Sequence, residues 1–494
     1  MELDDKKNNA ATRLGTEPVG KLLLRFSIPA IAGMLSNALY NVVDRIFVGQ
    51  EISLKALGGL SLVMPIMTIG LAFAMLFGIG AANMISMRLG QGRKQDAENA
   101  LNHCFFLLLG IGALMIIFGL IFLDPILSLL GAQEDSSSIE YAKSYLRIIL
   151  VGSIFSQVGF GLSHCTRAQG FPVVTMIAML IGAGLNIILD WFIIYVLEWK
   201  NVESVAWGTV ICQFISMAWI LSFYMGKKAV IKFRLRSFKP SLSITTQIMA
   251  FGSAQFLLQL IMAGVQLLYN VSMGWFGVAD LEIEKGGDIA LSGMSAITAI
   301  NMLILMPVLG INQGAQPILG YNYGAKQFGR VMNAYLKAIT AASIICIAGF
   351  AVAELFPVHL IKLFTSASSG EGVTEEEINA LMKFAPQAMR LMFIMLPTAG
   401  FQIVSTNLFV VTGRPKISIF LSMLRQCLIL IPCMLIFGQV WKLWGVVAAA
   451  PVSDAFAFFI TGVMIFFELK KLKAAQINGA AQVNGVAQIN GAPK

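Results

Sequence analysis

Two carboxylates, Asp44 and Asp190, lie inside stretches of sequence that otherwise read as apolar membrane-spanning helices. An ionised side chain at the centre of a bilayer costs roughly 2.5 to 3.5 kcal/mol on insertion scales, so a charge retained there marks a functional position. Each acid has amides at helical spacing: Asn37 and Asn41 precede Asp44 on one helix face, and Asn186 precedes Asp190 by one turn. Carboxylates with amide oxygens are hard ligands suited to a proton or Na+. With Na+ as the ion, Asp44, Asp190 and Asn186 are its expected ligands. The alternative at each position is structural pairing. Asp44 is followed directly by Arg45, whereas no basic residue lies near Asp190 in sequence.

The elements that must hold these residues follow from composition. Hydrophobic residues make up 57% of the 494 and charged residues 12%, about half the roughly 25% usual in soluble domains. Apolar runs of about 20 residues, each able to cross a ~30 Å hydrocarbon core, recur along the chain. Residues 20–468 hold about twelve of them. The expected fold is therefore an all-α polytopic membrane protein with twelve transmembrane helices. Residues 1–20 read as a polar cytoplasmic segment without a leader peptide, 21–226 as one six-helix bundle and 227–242 as a basic linker lying against anionic headgroups. Residues 243–469 read as a second six-helix bundle and 470–494 as a repetitive, disordered tail. Basic residues cluster in alternate loops, among them Arg88 to Lys94, Lys227 to Lys239 and Lys470 to Lys473, and acidic residues in the others. This asymmetry expects both termini in the cytoplasm and insertion in the cytoplasmic (plasma) membrane. It also accounts for the net charge of +9 without a nucleic-acid partner.

Other chemistry finds little support. The six cysteines are scattered through apolar helices without metal-ligand spacing, and a Walker-type phosphate loop is absent. His103, His164 and His359 sit near helix ends as interfacial residues and form no catalytic grouping, so neither an enzyme nor a cofactor is expected. Asp454 in the last helix reads either as a relay group or as a partner of Arg425 on the preceding helix.

The chain repeats itself. Leu57-Gly58-Gly59-Leu60-Ser61 aligns with Leu291-Ser292-Gly293-Met294-Ser295, and the same register superimposes Gly80-Ala81 on Gly314-Ala315 and Gly90 on Gly324. With small shifts for loop length, Leu39-Tyr40-Asn41-Val42 matches Leu268-Tyr269-Asn270-Val271, Gly170-Phe171-Pro172 matches Gly413-Arg414-Pro415, and Trp207-Gly208 matches Trp444-Gly445. Halves with six crossings each are parallel repeats, a transporter architecture. Asp44 then falls near Met273 and Asp190 on Cys433, so both charges belong to the first half.

Val43-Asp44-Arg45-Ile46-Phe47-Val48-Gly49, the following Ala56 to Ser61 and the glycine loops at Gly90 and Gly324 resemble the multidrug and toxic compound extrusion (MATE) transporters over residues 15–470. Within that family, the chain resembles the branch whose ion-binding acids lie in the N-terminal bundle. Asn186 and Asp190 match its fifth helix, and Pro29, Asn37 and Asp44 its first. Thr209 matches its sixth-helix hydroxyl ligand. Acids matching the other branch's cation site are absent between Phe251 and Phe276 and between Lys383 and Val411, and Ser163 stands where relatives carry an amide.

The resemblance implies antiport: an inward-moving H+ or Na+ neutralises Asp44, Asp190 or both and biases two bundles between alternating-access states while a substrate leaves. Pro29 removes a backbone hydrogen bond from the first helix, so it is either a switching bend or a static one. One charge is worth about 2.3 kcal/mol per 100 mV. Met34, Tyr40, Asn41, Met179, Gln255, Gln259, Asn270, Met273 and Met294 are the candidate substrate-cavity residues, a pliable amphipathic set suited to lipophilic cationic drugs. The protein is expected to work as a monomer. A flippase for lipid-linked sugar precursors is the alternative, and it calls for a more cationic cavity than these acids provide.

Overall fold

The structure is a computed structural model that describes residues 11–47, 54–129, 137–199, 201–234, 238, 240–281, 286–365 and 375–490. Within α1 (Val19–Phe47), the side chains of Asn37, Tyr40, Asn41 and Asp44 lie outside the described residues. The further spans are α2 (Leu54–Gly90), α3 (Lys94–Ile121), α4 (Ser137–Ala168), α5 (Pro172–Trp191) and α6 (Val202–Met225). They continue with α7 (Leu242–Leu281), α8 (Gly286–Gly324), α9 (Phe328–Leu355) and α10, built of Glu375–Phe393 and Leu396–Val411. Residues 394–395 bend α10 by 46°.

Ten described helices are long and apolar enough to cross a membrane unaided, and bent α10 adds an eleventh span. The last run, Pro415–Ile477, holds two spans, because Trp441 and Lys442 leave helical geometry, Lys442 with φ of 47°. These are α11 (Pro415–Met423, a π-helical stretch Leu424–Ile429, then 430–440) and α12 (443–490). Twelve described spans in an all-α membrane protein match the sequence expectation. The last helix runs on to Asn490, past the point where the sequence reading begins a disordered tail. Leu472 is buried, and the Gln476 side chain lies against Gly329.

The repeat is visible in the backbone. Gly170 and Gly413 both take positive φ, +101° and +76°, one residue ahead of the dipeptides that open α5 and α11 with Pro172 and Pro415. Gly92 after α2 and Lys326 after α8 share the same left-handed turn, at φ +73° and +59°. Proline at the first helical position starts the next helix without wasting a donor. Elsewhere the start is set by a side chain: Asn201 caps α6 by accepting the Ser204 amide at 2.8 Å.

The chain divides into two compact units, Met1–Leu260 with Gln316–Ala325, and Ile261–Ala315 with Lys326–Lys494. In the first, α2 packs on α3 and α4, α4 on α6, and α5 on α1 and α6. Ile85, Leu101, Leu108 and Leu162 form one apolar core and Val63, Leu146, Val205 and Val210 another. In the second, α9 packs on the latter part of α10, and both contact the last run of helix.

The basic linker departs from the sequence reading. Ala229, Val230 and Ile231 are buried in protein, and Gln169 Oε1 accepts both the Val230 and Ile231 amides, at 3.1 and 3.2 Å. Arg234 pairs with buried Glu98 at 2.5 Å. His103 is likewise buried rather than interfacial, and its Nε2 accepts the Ser241 amide at 2.9 Å. His164, also buried, contacts Arg167 at 2.9 Å. Unsatisfied amides of a non-helical strap need acceptors, and buried side chains supply them more firmly than headgroups.

Gly170→Ala or Gly413→Ala places a Cβ in left-handed backbone at a cost of about 1–2 kcal/mol, whereas Lys326→Gly relieves that strain. Thermal melting of the purified protein should fall for the first two and rise for the third. Wild-type melting of both glycine variants would contradict this account of the turns.

Candidate functional site

The site is built on α5 and α6. Asn186 and Asp190 occupy one face of α5 at i and i+4 and are buried, Asp190 completely. Thr209 faces them from α6, also buried, and the Asn186 amide nitrogen donates to the Thr209 hydroxyl at 3.4 Å. That bond leaves the Asn186 carbonyl oxygen buried without a hydrogen-bond partner among the described residues. A buried acceptor with no donor favours a ligand that brings positive charge or a donor.

Two local features make room for Asp190. Gly208 of α6 has no side chain, and a Cβ there would lie 3.1 Å from Asp190 Oδ1 and 3.4 Å from the Ile193 Cδ1. Directly after Trp191 the helix widens into the π-helical stretch Phe192–Val196, a distortion frequent at functional sites. Glycine at 208 lets two helices close on a carboxylate.

Beside this cluster lies a cavity of about 340 Å³, within the size range of small-molecule sites. Its wall comes from α2, α4, α5 and α6 with Met115 of α3. Four methionines line it, Met64, Met67, Met115 and Met179, alternating with polar Gln157, Asn186, Thr209 and Gln213. Gln157 Nε2 is 3.0 Å from the Met115 sulfur, and its carbonyl oxygen is another buried acceptor without a hydrogen-bond partner. No Lys or Arg stands among the described lining residues. Asp190 sits beside Gly208 rather than in the described wall, which is neutral.

The sequence candidates separate accordingly. Asp190, Asn186 and Thr209 come together; Met179 lines the cavity. Asp44, Asn37, Tyr40 and Asn41 lie on α1, which packs on α5, with their side chains outside the described residues. Pro29 is buried within continuous α1, and Met34 is half-buried. Gln255 and Gln259 are half-buried on α7 in the first unit. In the second, Asn270 is exposed and accepts from Gln266 at 3.0 Å, while Met273 and Met294 are buried. Sequence reasoning passed over Gln157, Gln213 and the α2 methionines. The signal available for Gln157 was a lone amide in an apolar span.

The MatE family model matches residues 29–192 and 258–436. This chain belongs to the MatE family. The multidrug export protein MepA of Staphylococcus aureus (strain NCTC 8325 / PS 47) is 23% identical over 449 residues, covering 91% of this chain and 94% of MepA. An outward-facing multidrug resistance MATE family transporter of the MOP superfamily is 25% identical, with a TM-score of 0.83 over 94% of this chain and 98% of its own. A Pyrococcus furiosus MOP superfamily transporter, described as having a binding pocket of reversed polarity that suggests a different function, is 25% identical at a TM-score of 0.84, over 93% and 98%. In this MatE protein the shared fold accommodates a cavity whose polar wall meets a buried acid.

Gly208→Ala overpacks the acid, at a typical cost of about 1–3 kcal/mol. Gly182→Ala adds the same methyl group at the cavity wall, 3.7 Å from Ser216. Melting curves should show a lowered midpoint for the first and a wild-type midpoint for the second; equal effects would contradict the packing argument.

Proposed function

We propose that this protein is a secondary antiporter that exports lipophilic, mainly cationic drugs in exchange for H+ or Na+, by alternating access. The observation that carries the reading is the methionine-rich cavity whose wall contains Asn186 and Thr209, with Asp190 enclosed next to them. Buried carbonyl acceptors on Asn186 and Gln157 suit cations and donor-bearing drugs, and thioether side chains adapt to ligands of varied shape. The export activity named for MepA and the multidrug resistance named for the outward-facing relative support the substrate class.

Cation arrival at Asp190, and at Asp44 on the neighbouring α1, removes a buried charge and so changes which arrangement of helices is favoured. Asn37 and Thr209 complete the proposed ligand set, and Pro29 provides a site of bending in α1. Exchange of one monovalent drug for one entering cation moves no net charge and is driven by the chemical gradient alone. Two entering cations also draw on the membrane potential, at about 2.3 kcal/mol per charge per 100 mV. We place the protein in the plasma membrane as a monomer, with both termini in the cytoplasm. The flippase alternative needs cationic groups for a pyrophosphate, and the described cavity wall has none.

Ethidium efflux from vesicles, with proton and Na+ gradients imposed separately, tests the reading. Asp44→Asn and Asp190→Asn should each lower gradient-driven export at least tenfold in folded protein; full export by both single variants overturns the coupling. A wild type that responds to neither gradient favours the flippase. Gly182→Leu fills the cavity and should weaken ethidium binding at least tenfold, measured by fluorescence titration; unchanged affinity would place the drug elsewhere.

A further inference from the structure

The second unit holds a charged pair that this mechanism does not use. Arg425 Nε lies 2.9 Å from Asp454 Oδ1, joining α11 to α12 within the membrane-spanning run Pro415–Ile477. Gln402 of α10 ties the two together: its oxygen accepts from Arg425 Nη1 at 3.4 Å, and its nitrogen donates to the Asp454 carbonyl at 2.8 Å. Ser453 Oγ donates to the Arg425 carbonyl at 2.5 Å.

Three observations distinguish this pair from packing. Arg425 sits in the π-helical stretch Leu424–Ile429, where the ordinary helical hydrogen-bond ladder is interrupted. The side chains of Arg425 and Asp454 retain 27% and 20% exposure, so both groups can be reached. Tyr269 of α7, within the field of the Asp454 charge, is 93% buried and its hydroxyl has no hydrogen-bond partner among the described residues. Charged side chains within membrane-spanning segments are costly, so an ion pair retained in one points to use.

We infer that Asp454 is a second proton-binding carboxylate, with Arg425 as its resident counter-ion and Tyr269 as a spare donor. A guanidinium at the carboxylate repels any arriving positive charge, by about 4 kcal/mol at 4 Å, and a metal cation, which needs several oxygen ligands, is disfavoured more than a proton. A proton needs one carboxylate oxygen and no further ligands. Among the described residues, the charged or titratable groups electrostatically coupled to Asp454 are Arg425 on α11 and Tyr269 on α7; Cys346 on α9 lies in the field of Arg425. When the proton arrives, the carboxylate becomes neutral and Arg425 loses its counter-charge, which releases the ion pair that ties α11 to α12. On the repeat alignment, Arg425 and Asp454 correspond to Gly182 and Met217, so the first half has no equivalent pair. Each half then carries an acid that the other lacks.

The test compares wild type, Asp190→Asn and the neutral double variant Asp454→Asn/Arg425→Gln in lipid, by infrared difference spectroscopy on acidification and by proton-driven ethidium export. The double variant should melt near the wild type, lose a protonated-carboxyl band that Asp190→Asn retains, and export at least tenfold more slowly; Asp454→Glu should restore the band. Should the amide pair fail to fold, Asp454→Leu/Arg425→Met carries the same readouts. A band unaffected by removing Asp454, or export at the wild-type rate without it, overturns the inference. Only the transport arm rests on the antiport reading: if the wild type itself responds to neither a proton nor a Na+ gradient, that reading fails and the infrared band still decides whether Asp454 titrates.

Discussion

A carboxylate enclosed completely between two apolar helices is the constraint on which the first unit is built. Asp190 has no exposed surface, and burying a charge is costly unless neighbouring groups or an arriving cation compensate. Gly208 opposite it, the widened helix after Trp191 and the Asn186–Thr209 contact are arrangements for holding that group in place. They restrict α5 and α6 to a close crossing. The cavity is walled by those two helices together with α2 and α4, and its wall carries the amide and hydroxyl that adjoin the acid. The proposed ion site and the cavity share Asn186 and Thr209, and on that proposal occupation of one changes the other.

Much of this was legible in the residues. Twelve apolar spans follow from length and hydropathy, and the spacing of Asn186 and Asp190 places them on one face of a helix whatever the tertiary fold. Gly170-Phe171-Pro172 and Gly413-Arg414-Pro415 announced the repeat as sequence, and their shared positive φ is its backbone form. Lys326 was harder to read, because a lysine gives no sign that it takes the left-handed turn held by Gly92 in the first half.

What remained illegible was which face of a uniformly apolar helix meets which neighbour. In a membrane helix both lipid-facing and buried faces are hydrophobic, so periodicity does not separate them. Met273 and Met294 therefore looked as suitable for a cavity as Met179; both are buried, in the second unit. The basic linker looked like a headgroup contact because its charges are visible in sequence. Its acceptors, Gln169, Asn102 and His103, come from distant helices. Gly208 carries no chemical signature at all, since its contribution is the absence of a side chain. Arg425 and Asp454 were open to two readings in sequence, and their separation of 2.9 Å establishes the pairing.

The central claim is that cation occupancy at the Asp190 cluster and drug occupancy of the adjoining cavity are linked. Linkage is reciprocal and is measured at equilibrium, independently of transport. The direct measurement is ethidium affinity of the purified protein titrated across Na+ concentration and, separately, pH, for wild type and Asp190→Asn. The account predicts that affinity changes with at least one cation in the wild type and is independent of that cation in the variant. The same cation dependence in both proteins would contradict it.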